Sequence, residues 1–356
     1  MTGPSSSACA PPFRRSARIA CLALVAAALG ACSRADAPAA VPAAPGLTLT
    51  GDISPVHDPT IIMDGGLAHV FSTSHVGQAP GLIHWRTSPD LVNWTRNGAV
   101  FAEIPAWASE AVPGVRGLWA PDISSVAGEF RLYYSVSTFG KNTSAIGLAA
   151  TKTLDRSDPR FGWVDRGLVV RSGAQDDFNA IDPDLLVDSK GRHWLSFGSF
   201  WTGIKLVELD PATGRPAADP PKMYDLARRS PPGAIEAADM IERGGRFYLF
   251  ASIDFCCRGV NSTYSTVVGR SESPTGPFTD AEGRPMMEGG GRTFLHADLD
   301  PTRRWAGPGH SAIVSVGGAD FVAYHAYDRE ASGRSTLRIQ RIAWSEDGWP
   351  TALPGK

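Results

Sequence analysis

Short apolar runs separated by glycine turns recur along most of the chain. In the middle of the sequence, Leu185–Val187 is followed by the turn Asp188-Ser189-Lys190-Gly191 and by a second apolar run, His193–Phe200. A third run, Ile204–Leu209, alternates apolar and polar residues. Two apolar runs joined by a glycine turn predict an antiparallel hairpin, and the third run extends the hairpin into a meander.

The same unit occurs five times, which predicts a repeat architecture. Its glycine turns end at Gly66, Gly128, Gly191, Gly245 and Gly318. These units are longer than the roughly 40 to 50 residues per blade of common propeller repeats. Five meanders of three to four strands, with almost no helical periodicity, predict an all-β fold, a five-bladed β-propeller. A pair of β-sandwiches is the alternative, but a sandwich does not require one unit to repeat five times.

Polar residues precede the first apolar run of each unit. The stretches are His57-Asp58-Pro59, Trp119-Ala120-Pro121-Asp122, Ile181-Asp182-Pro183-Asp184, Ile235-Glu236-Ala237-Ala238-Asp239 and Gly309-His310-Ser311. The first strand of a propeller blade lies nearest the axis. We therefore expect Asp58, Asp182 and Glu236 to converge on one cavity, with His310 deeper along the axis.

Converging carboxyl groups indicate acid–base chemistry. Burial and mutual repulsion raise the pKa of at least one acid in such a set. Hydrolysis of a glycosidic bond needs one protonated carboxyl and one carboxylate, and a gap of about 6.5 to 9.5 Å between them gives inversion. An Asp-Pro pair by itself often only caps a turn. Recurrence at the same point of several repeats favours a functional set.

Composition adds two constraints. The 34 basic and 36 acidic residues give a net charge of -2, which argues against the strongly basic face of a nucleic-acid-binding protein. The 10 Trp and 7 Tyr offer aromatic faces that can stack on sugars, although most Trp in such a fold belong to the core.

Residues 1–31 have the pattern of an export signal. Three arginines precede the apolar run Ile19–Gly30, which is too short for a mature membrane-spanning helix. The ending Leu29-Gly30-Ala31-Cys32 resembles the lipobox of bacterial lipoproteins, in which Cys32 would be acylated. Ordinary cleavage with Cys32 incidental is the alternative. We expect an exported protein, either secreted or held at a membrane only through this lipid.

The remaining chain divides into a tether and a catalytic domain. Residues 32–46 are rich in Ala and Pro and predict a flexible tether, and residues 47–356 form the propeller. Beyond the export signal and Cys32, the cysteines are Cys256 and Cys257. Export favours oxidation, but adjacent cysteines could form a disulfide or remain two thiols. No Cys/His spacing is typical of a zinc site.

The chain resembles glycoside hydrolase family 43, and within it the endo-1,5-α-L-arabinanases, over nearly all of residues 54–350. The stretches that carry the resemblance are Leu118–Ser124, Tyr133–Gly140, Phe197–Trp201, Asp254–Tyr264 and Gly307–His310. The resemblance implies that Asp58 is the general base and Glu236 the general acid. It also implies that Asp182 tunes the pKa of the acid and orients it.

The resemblance also implies binding residues and a metal. Residues at the border of the sugar site would be Asn179, Ala180, Ser199, Phe200 and Trp201, with Trp119 and Phe139 on the rim. His310 would hold a metal ion in the axial channel, calcium with a shell of water. Calcium normally takes oxygen ligands, so a structural histidine is the alternative. One departure from the family is Ala238, at a position where proline is usual.

The expected function is an inverting glycoside hydrolase that cleaves internal α-1,5-L-arabinofuranosyl bonds of arabinan and arabino-oligosaccharides. Alternatives within the family are an exo-acting arabinofuranosidase and a β-xylosidase. An alternative from another class is a non-catalytic sugar-binding propeller. The complete set of acid, base and modulator argues against that last alternative.

Overall fold

The computed structural model describes residues 46–354, which form five β-sheets, so the predicted five-bladed β-propeller is confirmed. The predicted export signal, Cys32 and the predicted tether except Gly46 lie outside the described residues. Within residues 46–354, no helix has both the length and the apolar character that crossing a membrane requires.

The first two blades contain nine strands and a short helix. Blade one consists of β1 (Thr50–Gly51), β2 (Thr60–Asp64), β3 (Leu67–Ser72), β4 (Leu82–Ser88) and β5 (Asn93–Phe101). Helix α1 (Ala106–Ala111) leads into blade two, which consists of β6 (Leu118–Val126), β7 (Glu129–Val136), β8 (Ser144–Thr151) and β9 (Val164–Ser172).

The other three blades follow in chain order. Blade three consists of β10 (Asp184–Val187), β11 (His193–Phe197), β12 (Ile204–Asp210), β13 (Arg215–Pro216) and β14 (Tyr224–Ala227). Blade four consists of β15 (Ile235–Arg243), β16 (Arg246–Ile253), β17 (Ser265–Ser271) and β18 (Arg292–Leu295). Blade five consists of β19 (Trp305–Val316), β20 (Ala319–Asp328), β21 (Arg334–Trp344) and β22 (Pro350–Ala352). Short 3₁₀ turns cover Gly259–Asn261, Met286–Glu288, Ala297–Leu299 and Arg329–Ala331.

Each blade is an antiparallel meander with its first long strand at the inner edge. Strand β1 pairs in parallel with β5 and forms the outer edge of blade one. The inner strands β2, β6, β10, β15 and β19 contact one another in that order, and β19 contacts β2. The ring of inner strands is therefore closed around an axis.

The hydrophobic core lies between the blades. Phe71 and Trp85 of blade one pack with Leu132 and Tyr134 of blade two, and equivalent clusters join the other neighbouring blades. Burial of each such large side chain stabilises the fold by about 1.5 to 3 kcal/mol. The cluster between blades five and one closes the ring by side-chain packing.

Backbone hydrogen bonds reinforce this closure. The segment between β1 and β2 lies along β21, where the N–H of Leu337 donates to the carbonyl of Ile53 over 2.9 Å. The N–H of Val56 donates to the carbonyl of Ser335 over 3.1 Å. The two ends of the described chain are therefore held together directly.

Every blade has a left-handed residue within its inner strand or just before it. The residues are Asp58 (φ 50°), Ala120 (φ 41°), Asp182 (φ 58°), Ala237 (φ 54°) and His310 (φ 56°). Such φ values are uncommon outside glycine, and the register of blades two, four and five shifts at this point. Bulges of this kind re-aim side chains, and here they accompany polar side chains at the face where the inner strands begin.

Blade four departs from this pattern by one residue. Ala237 takes the left-handed position, so Glu236 stands one residue before the point shared by Asp58, Asp182 and His310. Ala238 takes the place that Pro183 has in blade three. The left-handed residue and the bulge are present in blade four without proline.

Three buried or partly buried aspartates connect neighbouring inner strands. Asp122 Oδ2 accepts the N–H of Leu185 over 3.0 Å. Asp184 Oδ2 accepts the N–H of Met240 over 2.9 Å, and Asp239 Oδ2 accepts the N–H of Ile313 over 2.7 Å. In each case the carboxyl of one blade binds the backbone of the next, which gives these residues a structural role.

We expect Asp184→Ala to lower the free energy of unfolding by about 2 to 5 kcal/mol, because two polar groups lose their acceptor. Asp184 also accepts the hydroxyl of Ser196 over 3.0 Å. Urea titration would measure the loss, with Asp184→Asn, which keeps an acceptor oxygen, as the matched control. Equal stability of Asp184→Ala and the wild type would contradict the structural role.

Candidate active site

A cavity of about 810 Å³ opens at the face where the inner strands begin. Asp58, Asp182, Glu236 and His310 all line it, although they come from four different blades. Its volume lies toward the upper end of the range for ligand sites, about 300 to 1,000 Å³. The structure thus brings the four predicted chemical groups together.

Most of the predicted binding residues line the same cavity. They are Trp119, Phe139, Asn179, Ser199, Phe200 and Trp201. Phe139 is 82% exposed and Trp201 is 41% exposed, so both offer aromatic surface at the rim. The side chain of Ala180 differs: it is fully buried in the packing between blades two and three and is not part of the cavity wall.

The carboxylate of Asp58 is held by three side chains. His57 Nδ1 lies 2.8 Å and His310 Nδ1 lies 3.0 Å from Asp58 Oδ1. Thr73 Oγ1 donates to Asp58 Oδ2 over 2.6 Å. Burial acts to raise the pKa of Asp58, but His57 and His310 outweigh it and hold the pKa well below its usual value. Asp58 is therefore ionised at neutral pH.

Glu236 has the opposite shift. Burial raises the pKa of Glu236 above its usual value, hydrogen bonds from Ser199 and Tyr264 oppose the rise, and the charge of Asp58 adds to it. Ser199 Oγ donates to Glu236 Oε2 over 2.6 Å. The Glu236 carboxyl therefore keeps its proton to higher pH than an exposed glutamate would.

Asp182 connects to the strand that carries Glu236. Asp182 Oδ2 accepts the N–H of Ala237, the residue after Glu236, over 3.2 Å. Burial raises the pKa of Asp182 well above its usual value; His310 opposes the rise, and Glu236 and Asp58 add to it. Asp182 and Glu236 therefore influence each other both through charge and through backbone position.

His310 lies between the cleft and a smaller cavity of about 170 Å³ along the axis, which it also lines. The backbone N–H of His310 donates to Ser252 Oγ over 2.8 Å. Burial acts to lower the pKa of His310, but the charges of Asp58, Asp182 and Glu236 raise it to about 9.

The aspartates that connect the inner strands line this axial cavity. Burial raises the pKa of Asp122 to about 6 and that of Asp239 to about 8. Burial also raises the pKa of Asp184 well above its usual value. The axial cavity is therefore rich in carboxyl groups whose ionised forms are unfavourable without a nearby positive charge.

Several residues of the cavity were not predicted from the sequence. Cys256 and Cys257 form a disulfide bond, which selects one of the two states that the sequence left open. They line the cavity together with Phe255, Arg258 and Thr73. The stretch Asp254–Tyr264 gave a signal through its family resemblance, but nothing in the sequence pattern points to Thr73.

The geometry supplies the two groups that general acid–base catalysis requires. Asp58 is held ionised by two histidines, while burial favours the protonated form of Glu236. Pairs of titratable groups whose surroundings push their pKa values apart identify a base and an acid. The exposed aromatic surface at the rim fits a ligand with apolar ring faces, such as a sugar.

Comparisons with known proteins agree with this chemistry. The family described as Glycosyl hydrolases family 43 matches residues 53–350. An extracellular endo-α-(1→5)-L-arabinanase of Bacillus subtilis is 42% identical over 298 residues, covering 83% of this chain and 87% of that protein. An extracellular exo-α-(1→5)-L-arabinofuranosidase of Cellvibrio japonicus is 40% identical over 307 residues, covering 83% and 85%.

Solved structures show the same fold. The structure of a Cellvibrio cellulosa α-L-arabinanase complexed with arabinohexaose has a TM-score of 0.78 and 39% identity. The similarity covers 86% of this chain and 99% of that one. With a family match over most of its length and relatives at 40% and 42% identity, this chain belongs to glycosyl hydrolase family 43.

Proposed function

We propose that this protein is an inverting endo-1,5-α-L-arabinanase. The observation that carries the proposal is the opposed shift of two carboxyl pKa values in one cleft, lowered for Asp58 and raised for Glu236. Glu236 donates its proton to the oxygen of the leaving sugar. Asp58 takes a proton from the water that attacks the anomeric carbon from the opposite face.

The hydrogen bonds of Asp58 identify which of its oxygens takes the proton. Oδ1 already has two neighbours, His57 and His310, which occupy both of its lone pairs. Oδ2 has one donor, Thr73, and so keeps a lone pair for water. The base therefore acts through Oδ2, and the two histidines orient the carboxylate.

Asp182 acts on Glu236 in two ways. Its bond to the N–H of Ala237 fixes the backbone beside the acid. The charges of the two carboxyl groups repel each other: Glu236 raises the pKa of Asp182, and by the same repulsion an ionised Asp182 disfavours a negative charge at Glu236 and keeps the acid protonated to higher pH. Neither action requires Asp182 to contact the reacting atoms.

The cleft fits a polymeric arabinose substrate. Cavity-lining groups come from blades two, three and four, so binding surface surrounds the carboxyl groups on more than one side. To cleave an internal bond, the enzyme must bind sugar units on both sides of that bond. The relatives also support arabinan as the substrate, because one of them was solved in complex with arabinohexaose. An endo-acting and an exo-acting relative have similar sequence identity to this chain.

Digestion of linear 1,5-α-arabinan tests the proposal. A falling series of intermediate arabino-oligosaccharides, seen by chromatography early in the reaction, supports endo action. Release of one short product from the start indicates exo action, and activity on xylo-oligosaccharides alone indicates a xylosidase. Binding without product indicates a sugar-binding propeller. NMR of fresh product distinguishes inversion, which gives the β-anomer first, from retention.

We further propose that His310 holds a calcium ion at the axis. Nδ1 of His310 faces Asp58, so Nε2 is the nitrogen that remains for a metal. Metal binding would displace the proton that the raised pKa of His310 keeps on Nε2 at neutral pH. The axial cavity beside it is lined by carboxyl groups of Asp122, Asp184 and Asp239, and carboxylate oxygens suit calcium. A bound cation would favour the ionised forms of these carboxyl groups, which burial disfavours.

Exhaustive chelation is expected to lower both the activity and the melting temperature, with calcium restoring them. His310→Ala should resemble the chelated enzyme and should not respond to calcium. Elemental analysis and thermal denaturation measure the two effects independently of catalysis. Wild-type protein that contains no metal and is unchanged by chelation would show that His310 acts only through its hydrogen bond to Asp58.

We propose that the mature protein is anchored through a lipid on Cys32. Support comes from the Leu29-Gly30-Ala31-Cys32 ending and the Ala/Pro-rich stretch behind it. Cys32→Ala should move arabinanase activity from the membrane fraction to the soluble fraction, or block processing. Mass spectrometry of the mature N-terminus measures the acylation. A soluble wild-type protein with an unmodified N-terminus would contradict the anchor and leave a secreted enzyme.

A further inference from the structure

Hydrogen bonds connect the cysteine pair to the proposed base. The N–H of Cys257 donates to Tyr327 Oη over 2.7 Å. The same oxygen lies 2.7 Å from His57 Nε2, and His57 Nδ1 lies 2.8 Å from Asp58 Oδ1. We propose that the Cys256–Cys257 disulfide, through Tyr327 and His57, positions the Asp58 carboxylate for catalysis. This inference rests on the proposed role of Asp58 as general base.

The available donors and acceptors give each of these hydrogen bonds a direction. Tyr327 Oη accepts the N–H of Cys257, so its own proton can be donated to His57 Nε2. An imidazole that accepts at Nε2 carries its proton on Nδ1, and that N–H faces Asp58. The sequence of bonds therefore sets the tautomer of His57 and makes it a donor to the base.

Packing holds the His57 ring in the same orientation. His325 is fully buried and stacks on His57 with ring centroids 3.7 Å apart. His325 Nδ1 also accepts the backbone N–H of Asp58 over 3.1 Å. His57 is thus restrained at both nitrogens and on one face, so a change at Tyr327 is transmitted to Asp58 rather than absorbed by a rotation of the ring.

Tyr327 acts on the reaction only through other residues. It is 4% exposed and does not line the substrate cavity, whereas His57 and Asp58 do. Loss of its hydroxyl should therefore alter the catalytic step more than substrate binding. Tyr327 and His57 are positioning residues in this proposal.

The disulfide fixes the backbone N–H of Cys257, which is the first donor in the series of hydrogen bonds that leads to Asp58. Cys257 has φ 66°, a left-handed conformation that is uncommon outside glycine. A disulfide between neighbouring residues closes a small ring that includes the peptide bond between them. The N–H of Cys257 belongs to that peptide bond, so the ring limits the directions in which it can point.

Reduction should release this constraint. A dithiol supplies two electrons and two protons; the Sγ–Sγ bond breaks, two thiols form, and the dithiol closes to its own disulfide. Cys257 is exposed and both cysteines line the cavity, so a small reductant can reach them. The freed backbone can leave the left-handed conformation, and the N–H then no longer holds Tyr327.

Tyr327→Phe tests the link closest to the base. We expect kcat on linear arabinan to fall by about 10- to 100-fold with KM unchanged, because small displacements of a catalytic group are costly. Tyr324→Phe is the matched control, since Tyr324 lies on the same strand with the same 4% exposure but lines a separate cavity beside Trp305 instead of contacting His57. The control should keep the wild-type kcat. Thermal denaturation verifies that both variants are folded.

Reduction tests the disulfide itself. Dithiothreitol treatment, verified by thiol titration, should lower the kcat of the wild type, and reoxidation should restore it. The double variant Cys256→Ser/Cys257→Ser should resemble the reduced enzyme and ignore dithiothreitol. In Tyr327→Phe, reduction should cause little further loss, because the series is already interrupted. Such non-additivity identifies groups that act through one another.

Three outcomes would overturn the inference. One is a kcat for Tyr327→Phe within twofold of the wild type. Another is an equal loss of kcat upon reduction in the wild type and in Tyr327→Phe, which would mean that the disulfide acts through the cleft wall and not through Tyr327. The third is a wild-type kcat that reduction leaves unchanged. Asp58→Asn separates these from failure of the proposed function: retained activity in that variant refutes Asp58 as the base, whatever Tyr327 does.

Discussion

Replacement of Glu236 by glutamine is expected to lower kcat on linear arabinan by about 10²- to 10⁴-fold, the usual contribution of a general acid. Glutamine has a similar shape and can still accept the hydroxyl of Ser199, which now lies 2.6 Å from Glu236 Oε2. What it lacks is the proton for the leaving oxygen. Initial-rate measurements at saturating substrate give the effect on kcat.

The leaving group distinguishes loss of the acid from general damage. An aryl glycoside of an arabino-oligosaccharide with an acidic phenol needs little protonation, so Glu236→Gln should regain most of its activity on it. Asp58→Asn should not, because its defect concerns the attacking water. Glu242→Gln is the matched control on strand β15, where Glu242 binds Ser189 at the surface. Equal defects of Glu236→Gln on both substrates would argue against its role as acid.

The repeat structure was predictable because its signals are local. Glycine turns and alternating apolar runs lie within a few residues of one another, so five blades could be counted before any contact was known. The acids were found for the same reason, since each stands at the start of a repeat. Closure of the ring then brings residues such as Asp58 and Glu236 together without further information.

Other features depend on backbone detail that a pattern does not carry. The bulge in blade four gives the left-handed position to Ala237, and so places Glu236 one residue earlier than the repeats suggest. Ala180 follows Asn179 in the sequence, yet its side chain is fully buried in the interblade core. Neighbouring residues can therefore face the cavity and the core between blades, respectively. The order of polar and apolar residues in the sequence is the same in either arrangement.

The surroundings of Asp58 show a second limit of the sequence. His57 adjoins Asp58, but its partner Tyr327 is 270 positions away and Cys257 is 70 positions from Tyr327. The contact between His57 and Tyr327 follows from closure of the ring between blades one and five, and the contact between Cys257 and Tyr327 joins blades four and five. The pair Cys256–Cys257 was visible in the sequence, whereas its bond to Tyr327 was not.

Asp182→Asn is expected to lower kcat near neutral pH by about 10- to 100-fold, a part of the usual contribution of a general acid, because a smaller fraction of Glu236 stays protonated. The alkaline limb of the pH–rate profile should move to lower pH. The acid works only while protonated, so activity is lost as pH rises through the pKa that governs Glu236. Burial raises that pKa. Glu236 also raises the pKa of Asp182 by charge repulsion, and the same repulsion from an ionised Asp182 disfavours ionisation of Glu236.

Asparagine removes this charge but keeps an oxygen for the N–H of Ala237, so the backbone position survives. The alkaline pKa should fall, while the acidic limb, governed by Asp58, should move much less. Asp188→Asn, just beyond the far end of strand β10, is the control and should leave both limbs in place. An unchanged alkaline limb in Asp182→Asn, with only KM increased, would mean that Asp182 binds substrate rather than tuning the acid.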